Sequence, residues 1–226
     1  MKKKIALVGL FIIGLIIIII PQVTDYLYNI KVNDLEIKYD NMITDIEEVD
    51  QFAALNELLT NENNKLFNNQ QITFVNQDVS FEKAQIDLTK YGLNDNVIGF
   101  LELPSIDIKL PIYLGANDNN MKRGAVHLTG TSYPIGGENT NSVIAAHRGY
   151  YKSLMFRHID KINIGDTLYI KNYNGTLEYK AVKIAIIKPT ELNKLTIEEG
   201  KDMITLISCH PFPYNYQRYV VYFERV

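Results

Sequence analysis

Val97-Ile98-Gly99-Phe100-Leu101-Glu102-Leu103, then Pro104-Ser105-Ile106-Asp107, then Ile108-Lys109-Leu110-Pro111-Ile112-Tyr113-Leu114: this run decides the fold class. Two apolar stretches flank four turn-forming residues, the pattern of two strands about a turn. The same grammar continues downstream. Further strands are expected over Ser142 to Ala146, Thr167 to Lys171, Leu177 to Lys188, Met203 to Ser208 and Arg218 to Phe223. Turn chemistry separates them, with Gly136-Gly137, Asn163 ahead of Gly165-Asp166, and Asn174-Gly175. Asn172-Tyr173-Asn174-Gly175 between two strand candidates predicts a hairpin. Many short strands with few helices predict a mainly β fold, a closed or nearly closed barrel of short strands. No G-x-G-x-x-G motif opens a helix, which excludes a dinucleotide fold.

Upstream of this β region the chain reads differently. Leu35, Tyr39, Met42, Ile46, Val49 and Ala53 recur at spacings of four and three, with Asp40, Asp45, Glu47, Glu48 and Asp50 between them. The spacing predicts an amphipathic helix within Val23 to Phe67 that needs a cover for its apolar stripe. The stripe lasts under three heptads, which favours packing on the chain's own domain over an intermolecular coiled coil. Asn61, Asn63, Asn64, Asn68, Asn69, Gln70 and Gln71 follow and read as a loop or linker. From Gln71 to Tyr91 no period is sustained, so the catalytic unit is expected to begin near Tyr91.

At the N-terminus, Lys2, Lys3 and Lys4 precede an unbroken apolar run of 16 residues, Ile5 to Ile20, closed by Pro21. As a helix the run rises about 24 Å, somewhat short of a hydrocarbon core of about 30 Å. Lys4 can snorkel and Val23 can extend the stretch. A cleaved signal peptide would end in small residues. Ile16-Ile17-Ile18-Ile19-Ile20-Pro21-Gln22 has none, so an uncleaved signal anchor fits better. The positive-inside rule keeps the lysines cytoplasmic and sends the rest of the chain outside in a single pass. The expected organisation is a cytoplasmic tip (1–4), a transmembrane anchor (5–23), a helical segment and linker with lid potential (24–90), and a catalytic barrel (91–226).

Composition limits what that outer part can do. The chain has 226 residues, 46% of them hydrophobic, which fits one folded domain with an appendage. Of its 23 basic residues three are Lys2, Lys3 and Lys4, which leaves 20 basic against 26 acidic groups elsewhere. That balance argues against a nucleic-acid partner, which would need a basic stripe. A single cysteine, Cys209, has no intramolecular disulfide partner and is either buried filler or a reactive thiol.

Three residues at strand ends favour the reactive thiol. Cys209 follows the apolar strand Met203-Ile204-Thr205-Leu206-Ile207-Ser208, and His147 ends another, Val143-Ile144-Ala145-Ala146. Arg218 lies nine positions past Cys209 and would come near the thiol if the two strands pair. Their types suit acyl transfer. A neighbouring cation favours the thiolate as nucleophile. Arg218 can stabilise the oxyanion while staying protonated. His147 can protonate the departing amine and later take a proton from the incoming nucleophile.

These residues also carry a family resemblance. Thr205-Leu206-Ile207-Ser208-Cys209 resembles the T-L-x-T-C motif of the sortases, membrane-anchored cysteine transpeptidases of Gram-positive bacteria, with Ser208 in place of Thr. Ser142-Val143-Ile144-Ala145-Ala146-His147-Arg148-Gly149 is similar to the histidine strand of class C, the pilin-type sortases. So are Gly124-Ala125-Val126-His127-Leu128, Gly130-Thr131-Ser132 and Gly136-Gly137, and so is the spacing of Cys209, Pro211, Phe212, Asn215 and Arg218. The resemblance covers about Ile98 to Arg225. It implies an eight-stranded sortase barrel with Cys209, His147 and Arg218 as catalytic residues. It also implies an LPXTG-like sorting signal as substrate and an amine acceptor, either a pilin lysine or a peptidoglycan precursor. Three features depart from class C. The chain has no Asp-Pro lid motif, although Asp78-Val79-Ser80-Phe81 lies in a comparable place; it stops at Val226 directly after its last strand; and His210 occupies a variable position.

The remaining candidates read as scaffold. His127 is expected in a wall of the fold, and His158 as a solvated or capping residue. Cys209 and His210, as strand neighbours, point to opposite faces, and no second cysteine completes a common zinc site. Neither metal nor cofactor is expected. Phe212, Tyr214, Tyr216 and Tyr219 read as loop packing, and Glu191 with Glu198-Glu199 as a solvated face. Two rival functions stay open: a secreted, membrane-tethered cysteine hydrolase, and a non-catalytic tethered structural module.

Overall fold

The computed structural model describes residues 2–44, 49–76, 81–150 and 153–226. The two strands about Pro104–Ile106 form as β1 (Val97–Leu103) and β2 (Ile108–Leu114), antiparallel, with Leu103 opposite Ile108. Then come β3 (Ala125–His127), β4 (Thr140–Ala145), β5 (Thr167–Asn172), β6 (Gly175–Ile187), β7 (Asp202–His210) and β8 (Gln217–Arg225). They close into an eight-stranded barrel in the order β1-β2-β3-β4-β7-β8-β6-β5. The expected hairpin forms between β5 and β6, where Asn172 faces Gly175. The sequence reading did not anticipate β3. Its three residues are too few to show a period, yet they bridge β2 (Tyr113 opposite Val126, parallel) to β4 (Val126 opposite Ala145, antiparallel).

Alternation along the strands builds two cores. Ile144 of β4, Ile204 and Leu206 of β7, and Val221 and Phe223 of β8 point into the main core inside the barrel. Their sequence neighbours Val143, Met203, Ile207, Val220 and Tyr222 turn outward into a second, smaller core with Phe74, Ile187, Leu192 and Leu195. A period of two thus sends each β7 residue to a fixed side.

Two long helices pack on the barrel, the first on the β1, β2 and β5 wall and the second against the β5–β6 turn and the β3–β4 connection. α1 (Lys2–Thr44) runs without a break through Pro21, so the apolar run and the start of the amphipathic segment are one helix. Pro21 removes one backbone donor without ending the helix, and the Thr24 hydroxyl donates to the Pro21 carbonyl (2.9 Å). The predicted stripe docks: Tyr39 is buried, Leu35 and Met42 pack against the main core, and the Tyr39 hydroxyl donates to the Ile98 carbonyl (2.9 Å). Lys171 bridges Glu36 and Asp40 at 3.1 and 2.7 Å, and Lys109 reaches Glu36 at 3.0 Å.

The stripe does not continue in one register. α2 (Val49–Asn68) buries Phe52, Leu55 and Leu59, while Ala53 is exposed. α2 is a separate helix with its own rotation about its axis, so extrapolating from α1 selects the wrong neighbour at position 53. Asp45, Ile46, Glu47 and Glu48 lie outside the described residues. The Asn-rich stretch is also corrected: α2 continues to Asn68. Asn63 is buried, accepting from the Tyr133 N–H (2.7 Å) and donating to the Tyr133 carbonyl (3.3 Å). Gln71, buried as well, donates to the Gly130 carbonyl (3.2 Å) and accepts from the Ile197 N–H (2.7 Å). These amides are polar because they satisfy backbone groups of the barrel loops, not because they face water.

After Gln71 a single turn, α3 (Ile72–Val75), places Phe74 in the second core, where Phe81 meets it edge-on at 5.8 Å. Asp78, Val79 and Ser80 lie outside the described residues.

Candidate active site

The site is assembled by register. β7 extends past Ser208 to His210, so Cys209 is held within a paired strand, one residue further in than the sequence suggested. Its antiparallel partner on β8 is Arg218, directly opposite. Directly opposed residues project on the same face of a sheet. By alternation that face is the outer one, which Cys209 shares with Met203, Thr205 and Ile207. Cys209 is a free, half-buried thiol.

On the other side of β7 lies β4, parallel, with Ala145 beside Ile207. Pairing outlasts the strand, since the Ala146 N–H donates to the Ile207 carbonyl (3.3 Å). The inward-facing Ser208 hydroxyl donates to the Ala146 carbonyl (2.8 Å). His147 follows directly on this segment, which borders β7. His147, Cys209 and Arg218 therefore lie on three adjacent chain segments, a row with Cys209 on the middle strand.

Each flank is locally held. The His147 ring stacks on Tyr150 (centroids 5.5 Å apart, planes at 14°), and its carbonyl accepts from the Phe156 N–H (3.0 Å). Partial burial lowers its pKa; the Asp118 charge opposes this and Lys122 adds to it. This lowering favours the neutral imidazole, the form that can accept a proton. Arg218 Nη1 donates to the carbonyls of Asn215 (2.7 Å) and Gln217 (2.9 Å), which fix the guanidinium at the start of β8.

Arg148, which in the sequence stands only as part of the histidine-strand motif, has a larger role. Arg148 is buried, and its Nη1 donates to the Cys209 carbonyl (3.3 Å) and lies 3.3 Å from His210 Nδ1. Nε donates to the Arg157 carbonyl (3.2 Å), Nη2 pairs with Asp160 (2.8 Å), and the guanidinium lies 5.5 Å from the centre of the Tyr219 ring. One side chain thus ties the His147 turn to the Cys209 backbone. A buried cation needs partners, and these come from segments distant in sequence. Gly149 completes the turn at φ +91°, where a side chain would be strained and would crowd Arg157.

The other singled-out residues stand apart from the row. His127 is fully buried in β3; its Nε2–H lies 3.0 Å from the Ser132 carbonyl and 3.2 Å from that of Thr131, and its ring stacks on Tyr133. Burial pushes its pKa down to about 4. His158 precedes the short turn Ile159–Lys161 without a side-chain capping bond. Phe212 lies under the Arg157 guanidinium (3.6 Å), and Tyr214 and Tyr216 are exposed, 6.4 Å apart. Glu191 and Glu198 form surface pairs with Lys194 and Lys201, each at 2.8 Å.

A thiol with an arginine directly opposite and a histidine on the neighbouring segment is an arrangement suited to covalent acyl transfer. Known proteins point the same way. A family model described as the sortase domain matches residues 101–226. Sortase D of Bacillus subtilis (strain 168) is 30% identical over 131 residues, 57% of this chain and 63% of that relative; the match thus spans less than two thirds of the relative's length. Among solved structures, sortase C from Clostridium perfringens SM101 is 34% identical with a TM-score of 0.62, covering 87% of this chain and 98% of its own. The lid mutant of Streptococcus agalactiae sortase C1 is 29% identical with a TM-score of 0.70, covering 83% and 95%.

Proposed function

The chain belongs to the sortase family, and on that premise we propose that it is a membrane-tethered cysteine transpeptidase of the class C kind. The observation that carries this reading is the pairing of Cys209 directly opposite Arg218, with the segment that bears His147 alongside. Cys209 gives its proton to the neutral His147 imidazole and attacks the scissile carbonyl of an LPXTG-like sorting signal as thiolate. Negative charge develops on the carbonyl oxygen, and the Arg218 guanidinium donates to it. As the tetrahedral intermediate collapses, His147 returns its proton to the departing amine and an acyl-thioester remains on Cys209. An incoming amine then attacks the thioester, His147 takes its proton, and the thiolate leaves. The acceptor is a pilin lysine or a wall-precursor amine, so the reaction polymerises pilin or anchors a surface protein. α1 tethers the enzyme, with its lysine-rich end cytoplasmic and the barrel outside.

The test is to incubate the protein with a fluorescent LPXTG peptide, with and without an amine acceptor. Ligated product that appears only with the amine, through a Cys209-linked thioester trapped at low temperature, is the expected result. Cleavage at the same rate with or without amine would make the protein a hydrolase. Resistance of folded Cys209 to alkylation, with no turnover, would leave a structural module.

A further inference from the structure

We propose that the barrel itself sits in the interfacial layer of the membrane, on a surface formed by the outward face of α1 and by Leu154 in the turn after His147. The inference rests on reading the apolar run as a membrane span, and it starts from that run's shortfall. Sixteen residues supply about 24 Å of a core of about 30 Å. α1 does not stop at Ile20, and its outward face stays apolar: Val23, Tyr26, Leu27 and Ile30 are 47%, 67%, 50% and 46% exposed. Their spacing places them along one side of the helix. From Ile5 to Ile30 the helix rises about 38 Å, close to the roughly 40–45 Å of a bilayer with its headgroups.

The opposite side of the same turns is already occupied by the barrel. The Asp25 carboxylate accepts from the Leu154 N–H (3.1 Å), the Tyr28 hydroxyl donates to the Arg123 carbonyl (2.8 Å), and Val32 is buried. Asp25 lies only about 8 Å along the helix from Ile20, which is within the headgroup layer. The span cannot reach its full length unless the barrel meets that layer. Leu154, 43% exposed and joined to Asp25, stands at the same height. Tyr26 adds an amphipathic ring of the kind that collects at headgroup level. The occupant is lipid, because the surface is continuous with the span and lies at bilayer depth. The turn that carries Leu154 also holds His147, through the bond from the Phe156 N–H to the His147 carbonyl. Cys209 is thereby kept within reach of acceptors and substrates held near the bilayer.

The chain has no tryptophan, so a single introduced Trp is a clean reporter. Full-length Leu154→Trp, Tyr26→Trp and Thr176→Trp would be reconstituted in phosphatidylcholine–phosphatidylglycerol vesicles with or without brominated phosphatidylcholine. Thr176 is the control: it is exposed and pairs with Lys171, which contacts Asp40, about 30 Å along α1 from Ile20. Brominated lipid should remove most of the emission of Leu154→Trp and Tyr26→Trp, while iodide should quench only Thr176→Trp. If all three are equally open to iodide while the chain still floats with the vesicles, the span stands and the docked barrel is wrong. Shielding from iodide without bromine quenching would put protein on this face and equally overturn the proposal. A chain that does not float removes both the span and the docking. Should Leu154→Trp misfold, Tyr26→Trp on the open helix face decides.

Discussion

On the wall of β1, β2 and β5 the outer surface is roofed by α1, with α2 packed beside it on the barrel's connecting turns. On the wall of β4, β7 and β8 the apolar cover reaches Ile207 and leaves Cys209, two positions further along the same face, half-exposed. The first wall is tied down by the buried hydrogen bond of Tyr39 to the Ile98 carbonyl and by the ion pairs of Lys171, while Asn63 fastens α2 to the connection between β3 and β4. The second is held by strand pairing and by Arg148, whose contacts converge on the row itself. A closed barrel can give one wall to stability and another to chemistry because the interior core serves both.

Substitutions should separate the walls. On the open wall, Cys209→Ala is expected to abolish ligation with no change in melting temperature. His147→Ala and Arg218→Ala are each expected to lower kcat/KM about 10²-fold or more. Near-normal turnover in Arg218→Ala would remove it from the row. Between the walls, His127 should make the protein acid-labile without affecting chemistry. Its pKa is about 4 when folded and about 6.5 when unfolded. Above pH 6.5 both states hold it neutral and nothing is lost. As pH falls toward 4 the unfolded state takes up the proton first, and stability drops by about 3 kcal/mol. Denaturant melts from pH 7 to 4 should show that slope, and His127→Gln should flatten it.

On the roofed side, Asn63→Ala leaves the Tyr133 N–H without its partner and should cost about 1–3 kcal/mol. Its kcat at a permissive temperature should stay at the native value; a fall there would mean that the roof reaches the chemistry. Lys171→Met is expected to change stability by no more than about 1 kcal/mol, because its pairs are partly exposed. A larger loss would make the ion pairs, rather than the apolar stripe, the fastening of α1.

The open wall was the more legible of the two. The strand runs around His147, Cys209 and Arg218 are long enough for turn chemistry and β-branching to mark them, and pairing did the rest. β3 escaped because three residues carry no period. The roof was misread for a different reason. Asn63 and Gln71 look like linker residues by composition, but a buried amide that satisfies a backbone loop has the same composition as a solvated one. Position 53 failed because a stripe can be extrapolated only within a single helix. Arg148 was hidden because its partners, Asp160 and the Cys209 carbonyl, come together only in the fold.

The opposition of Cys209 and Arg218 is set by the strands on either side of the connection between His210 and Gln217, not by the connection itself. Shifting β7 by one residue would turn the thiol into the barrel interior. Residues 211–216 add one contact to that pair, the Asn215 carbonyl that accepts from Arg218 Nη1 (2.7 Å). Apart from Asn215 the connection is therefore free to vary in sequence, a place where new recognition can be grafted beside two residues whose opposition the strands alone maintain.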